Sequence, residues 1–223
     1  MITLMKPSHQ SVNILAFDTS GDVASVAVWA DENIRKASPP FGTGSHSQAS
    51  QLFSVMQGLL RDANITFQDL NVIATLVGPG SFTGIRLGLA AAQGLILSTK
   101  ATSFAPTTLQ NYAFGAWQEK EAFGAVDSYL VTLSTKRDSF YTQAFDKNLE
   151  ALFPAAIKTE NEINDILATN SGMSRVENLS LLSAEALIYF YFHTMKTGEN
   201  LPIILRPYYL HNPEFAKQKS WSL

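Results

Sequence analysis

Apolar residues recur along this chain in two periods, and the switches between them lay out the elements. Residues 13–17, NILAF, form a short apolar run closed by DTSGD, and VASVAVWA then alternates apolar positions. That order predicts strand, tight turn, strand. A third strand is expected in NIRKAS, before the break at Pro39, Pro40 and Gly42. The period then changes to a helical one: Ala49, Leu52, Phe53, Met56, Leu59, Leu60 and Ala63 fall on one face. Ser45 with Gln48 supplies a capping box for this helix.

NVIATLV reads as a strand buried on both faces. Residues 81–97 predict a second helix, ATSFA a short strand, and Pro106, Thr107 and Thr108 the start of a third helix running to Trp117. Strand, strand, strand, helix, strand, helix, strand, helix is the order of a ribonuclease-H-like domain, an antiparallel hairpin extended by parallel crossovers. Further along, AVDSYLVTL and SFYTQAFD pair as strands across STKRD, and TENEINDIL is a short helix boxed by Thr159 and Glu162. SAEALIYFYFHTMK is an apolar helix, followed by the extended tail LPIILRPYYL. Two lobes are expected: residues 1–117, completed by part of the C-terminal tail, and a smaller lobe with the tail over residues 118–223.

Composition narrows the chemistry. The 223 residues are 46% hydrophobic and 16% charged, enough for a sizeable core, and the net charge of -3 gives no general attraction to a phosphate backbone. With no cysteine, disulfides, thiolate nucleophiles and sulfur metal sites are excluded. The four histidines, His9, His46, His193 and His211, lack the spacing of a helical metal motif. Neither a secretory leader nor a membrane span is expected, because the apolar runs are too short.

The stretch VGPGSFTGIRLGLAAAQGL poses the functional question, nucleotide or protein. Its glycines run into a helix as a phosphate loop does. Yet Ile85 and Arg86 follow Gly84 where a phosphate loop needs Lys and a hydroxyl residue, and Thr83 stands where a dinucleotide fingerprint needs its third glycine. A nucleophile elbow at Ser81 fails as well, with Pro79 in its first glycine position. A capped helix start is the simpler reading, and a generic anion site at the helix N-terminus stays open. Gly84, Gly88 and Ala92 then recur every four residues, a smooth row suited to close packing, with the chain's own sheet preferred from spacing alone. In FDTSGD, Asp18 and Asp22 would suit an ATP-using transferase or kinase if a metal bridged them to phosphate, whereas a bare turn is the plainer reading.

ILAFDTS, HSQ and above all GPGSFTGIR (Gly78, Pro79, Gly80, Ser81, Phe82, Thr83, Gly84, Ile85, Arg86) resemble the bacterial TsaB (YeaZ) family over about residues 13–117. Members of that family help make threonylcarbamoyladenosine beside the tRNA anticodon. The match thins afterwards: Ser134 stands where the family has Asp, and His211 where it has Arg. The resemblance implies a two-lobed α/β, actin-like ATPase (ribonuclease-H-like) fold, and a non-catalytic subunit in the cytoplasm that supports a TsaD-type threonylcarbamoyltransferase. It also implies a TsaE-type ATPase on the assembled pair, self-pairing through the same surface, and contact with tRNA only through the partner. ATP and metal ion are expected in the partner subunits and no cofactor in this chain. At the place of the partner enzyme's two metal-binding histidines stand Thr108 and Tyr112. Carried onto this sequence, the interface falls on the helices near 46–62 and 81–97. The candidate contacts are Leu52, Phe53, Met56 and Leu59 on the first and Gly84, Ile85, Gly88 and Ala92 on the second. The resemblance thus turns the small-residue row toward a partner.

Overall fold

The computed structural model describes residues 12–37, 48–119, 126–135, 137–177, 183–198 and 203–210. Strands β1 (Ile14–Asp18), β2 (Ser25–Ala30) and β3 (Asn33–Ala37) form an antiparallel meander, followed by helix α1 (Gln48–Asp62). Then come β4 (Val72–Thr75), α2 (Phe82–Ser98), β5 (Thr102–Phe104) and α3 (Thr108–Gln118). The first sheet has the order β3-β2-β1-β4-β5, with β4 parallel to β1 and β5 parallel to β4. This is the ribonuclease-H-like order read from the sequence.

Alternation along β1 assigns its two faces. Leu15 and Phe17 face Leu52 and Met56 of α1 and Ala91 and Ala92 of α2, whereas Ile14 and Ala16 face Phe114 of α3 and the helix α5 (Ser183–Thr197). A buried strand with apolar residues on both sides belongs in the middle of a sandwich. Truncating a buried Leu52 or Met56 to Ala would cost ~2–5 kcal/mol.

The second sheet, of order β8-β7-β6-β9, contains β6 (Ser128–Ser134), β7 (Phe140–Asp146), β8 (Ala156–Lys158) and β9 (Met173–Val176). Helix α4 (Glu160–Thr169) covers one face through Ile163, and its N-terminus carries the expected Thr159–Glu162 capping box. Helix α3 covers the other face, where Leu109 and Ala113 pack with Val131 and Phe145. α3 therefore lies between the two sheets. α5 returns to the first sheet, where its buried Glu185 pairs with Lys36 of β3. The chain thus re-enters the first lobe after building the second.

Three elements go beyond the sequence reading: the one-turn 3₁₀ helix Phe67–Asp69, β8 and β9. Each is three or four residues long, too short to display a period. Ser45 of the expected first capping box, and His9, His46 and His211, lie outside the described residues. No helix among the described residues is long and apolar enough to cross a membrane.

Candidate functional site

Strand β1 ends on Asp18, and the next three residues decide what the glycine turn can hold. The Asp18 carboxylate accepts the backbone N–H of Ser20 at 2.7 Å, an Asx turn that folds the loop back on itself. The folded loop lies on the start of α2. Thr19 Oγ1 donates to the carbonyl of Gly84 at 2.7 Å, and the N–H of Ser81 donates to the carbonyl of Ser20 at 2.7 Å. Ser81 caps the helix, its hydroxyl accepting from the N–H of Gly84 at 3.3 Å.

Closeness of approach explains two glycines of the small-residue row. A Cβ on Gly84 would lie 1.9 Å from the Thr19 carbonyl oxygen, and one on Gly88 would lie 2.5 Å from Thr19 Oγ1. Both residues are needed so that the 18–20 loop can seat against the helix. A phosphate cradle presents N–H groups to its ligand. Here the loop lays two carbonyl oxygens, those of Thr19 and Ser20, against the turn. Of the two acids considered for an ATP-using enzyme, Asp18 is buried and Asp22 lies on the exposed outer turn.

Helix α3 starts with a capping box between Thr107 and Gln110, and Thr108 N–H donates to the Gly78 carbonyl at 2.8 Å. Thr108, Asn111 and Tyr112 share one face of the helix. Burial, and then the Asp18 charge, push the Tyr112 phenol up to about 12, so it stays protonated at neutral pH. A threonine hydroxyl and a protonated phenol at the two histidine positions do not suit a transition metal. Among the described residues, no three His, Cys, Asp or Glu side chains cluster as metal ligands.

The expected contact residues need correction. Leu52, Met56, Leu59, Gly84, Ile85, Gly88 and Ala92 are all buried inside the chain, so none offers a surface to a partner. The helical period was right, but the face it marks is the one turned to the chain's own sheet. Phe53 remains outside, at 37% exposed. The exposed residues of the two helices include Phe53, Ser54 and Gln57 on α1 and Thr83, Ala90, Gly94 and Leu97 on α2. Leu97 is 88% exposed, and a Cβ on Gly94 would meet nothing within 4 Å among the described residues.

Part of the extended tail lies against the first lobe. Residues 203–210 lie along α2 and β5: Ser103 Oγ donates to the Ile203 carbonyl at 3.1 Å, Gln93 Nε2 to the Leu205 carbonyl at 3.1 Å, and Tyr208 N–H to the Val77 carbonyl at 2.7 Å. Leu205 packs on Val77, Ile85, Leu89 and Ala105. At the end of this strap Tyr209 stacks on Phe82 at 5.5 Å and its hydroxyl accepts from Arg86 Nε at 3.1 Å, while the Arg86 guanidinium lies 3.8 Å from the centre of the Phe82 ring. The exposed part of the motif, Phe82 and Arg86, thus anchors the C-terminal segment. The tail was expected from the extended run LPIILRPYYL, but its anchorage on Phe82 and Arg86 was not.

Comparison with known proteins agrees with this geometry. The family model described as TsaD, tRNA N6-adenosine threonylcarbamoyltransferase, matches residues 39–198. A TsaB protein of Escherichia coli is 33% identical over 111 residues, 50% of this chain and about half, 47%, of that protein. A TsaB protein of Buchnera aphidicola subsp. Schizaphis graminum is 34% identical over 150 residues, covering 67% of this chain and 68% of its own length. The solved structure of YeaZ from Pseudomonas aeruginosa superposes with a TM-score of 0.68 at 21% identity, over 89% of this chain and all of that one, and so shares the fold. By its relatives, its fold and its GPGSFTGIR turn, this chain belongs to the TsaB (YeaZ) family.

Proposed function

We propose that the chain serves in tRNA threonylcarbamoyladenosine biosynthesis as a supporting subunit without an active site of its own. In this reading it binds a TsaD-type threonylcarbamoyltransferase through the outward ridges of α1 and α2. The observation that carries it is the seating of the 18–20 loop: the turn that looks like a phosphate loop is closed by Thr19 and Ser20 of the same chain. Carbonyl oxygens there repel the anion that a nucleotide would bring.

The outward ridge offers the converse. Phe53 and Leu97 expose large apolar side chains, and Ala90 and Gly94, on the same face of α2 as Leu97, leave room for a facing helix. Exposed apolar residues beside small ones suit close packing of a second helix pair. The same ridge would serve self-pairing when the enzyme is absent. ATP and the catalytic metal belong to the partner subunits, a TsaE-type ATPase joins the assembled pair, and tRNA is reached through the partner. The expected location is the cytoplasm.

Mixing the purified chain with a TsaD-type enzyme and following the masses by size exclusion with light scattering tests this reading. A stable mixed complex is expected, and calorimetry with ATP and magnesium on the chain alone should show no micromolar binding. Turnover by the isolated chain, or failure to associate with the enzyme, would overturn it.

A further inference from the structure

Five residues, 77–81, receive three segments that lie far apart in the sequence. From the strap, Tyr208 N–H donates to the Val77 carbonyl at 2.7 Å. From the start of α3, Thr108 N–H donates to the Gly78 carbonyl at 2.8 Å, and the Pro106 carbonyl accepts the Val77 N–H at 3.1 Å. From the end of β1, the Ser20 carbonyl accepts the Ser81 N–H at 2.7 Å. Among the described residues no hydrogen bond joins the strap directly to the 18–20 loop. The turn stands between them.

Two glycines let the turn serve both. Gly78 has a φ of +106°, and a Cβ there would lie 2.9 Å from the Tyr208 carbonyl oxygen. Gly80 has a φ of +157°, and a Cβ there would lie 2.5 Å from the Ser20 carbonyl oxygen. The strap thus presses on one glycine and the loop on the other. Glycine loses more conformational freedom on ordering than any other residue. Two of them within three residues make a turn whose order comes from the segments docked on it. Whichever segment seats first removes part of that freedom, and the second then seats at a smaller entropic cost.

We infer that residues 203–210 act as a latch on the glycine turn. Leu205 fixes the strap in the apolar cluster of Val77, Ile85, Leu89 and Ala105, and its end is held by the exposed clasp of Phe82, Arg86 and Tyr209. Seated in this way, the strap holds Thr19 and Ser20 on the start of α2 through the turn, and the loop holds the strap in return. Releasing the clasp loosens the loop on the far side of the turn, although Tyr209 does not touch it by hydrogen bond. The latch concerns how the turn is kept closed and not which partner the chain binds. Its failure would leave the seated loop and the pairing surface standing.

Amide hydrogen exchange of the full chain, resolved residue by residue by NMR, tests the latch. Ser81 N–H reports the loop, Tyr208 N–H the strap, and the paired amides of β1 and β4 the opening of the whole lobe. In the wild type, Ser81 and Tyr208 should exchange faster than β1 and β4. Tyr209→Ala removes the clasp and should speed exchange at Tyr208 and, across the turn, at Ser81, each at least ~5-fold. Tyr209→Phe keeps the ring on Phe82 and loses the bond to Arg86, and should give a smaller rise at both. Thr19→Val removes the hydroxyl that donates to Gly84 and works from the other side. Because coupling is reciprocal, it should speed Tyr208 together with Ser81. A Ser81 rate unmoved by Tyr209→Ala, or a Tyr208 rate unmoved by Thr19→Val, overturns the inference. So does exchange of Ser81 and Tyr208 at the rate of β1 and β4 in every protein, since the turn would then open only with the whole lobe.

Discussion

Helix α2 carries glycines on two faces, and they mean opposite things. On the inner face, Gly84 and Gly88 have Thr19 packed so closely that no Cβ fits. On the outer face, a Cβ on Gly94 would meet no described residue within 4 Å. A glycine inside a helix costs ~1 kcal/mol relative to alanine wherever it stands. On the inner face that cost is offset by the seated 18–20 loop. On the outer face nothing among the described residues offsets it, which is what a surface awaiting a partner would show. The four-residue row of small residues therefore does not act as one groove.

The largest expected effect separates the faces by stability. Gly88→Leu places a bulky chain against Thr19 and the neighbouring Thr75. Overpacking of this kind costs at least ~3 kcal/mol, a fall in Tm of about 10 °C by calorimetry. The variant should lose its partner only because it loses its fold. On the outer face, Leu97→Glu should leave Tm within about 1 °C and weaken association with the TsaD-type enzyme at least ~10-fold, as read by light scattering or interferometry. Smaller still is Gly94→Ala, expected to raise stability by ~1 kcal/mol in urea unfolding, because the added methyl meets open space. If it destabilises instead, that face is packed against something.

The smallest effect lies at the foot of the same loop. The Tyr112 phenol is pushed from 10.0 to about 12, so the folded state holds its proton where the unfolded state releases it. Stability from this group is fully present below pH ~10 and declines as pH rises toward ~12. Tyr112→Phe should flatten that part of the pH–stability curve relative to wild type, measured by urea midpoints. Tyr189 is also pushed up to about 12, so part of the decline should persist in the variant.

The sequence was most legible where several local signals agreed. Thr159 with Glu162 was readable as a helix start because cap and box residues stand at fixed spacing, and the box forms; Pro106, Thr107 and Thr108 marked the start of α3. The first sheet was readable because an alternating hairpin precedes strand–helix crossovers. Facing was not readable on α2: Leu89, Leu97, Ala90 and Ala92 are alike in the sequence but lie on different sides of the helix, because the small and apolar residues run nearly all the way round it. On α1 the apolar stripe was legible, but a core stripe and an interface stripe look the same until something is placed against them. Seating of Thr19 on Gly84 and of residues 203–210 on α2 depends on contacts distant in sequence, which no period reports.

The most direct measurement is a titration of the TsaD-type enzyme with folded Leu97→Glu protein beside the wild type, with Tm recorded for each. The account predicts equal Tm values and at least ~10-fold weaker association for the variant. Equal association of the two folded proteins would contradict it and move the partner surface away from the outer face of α2.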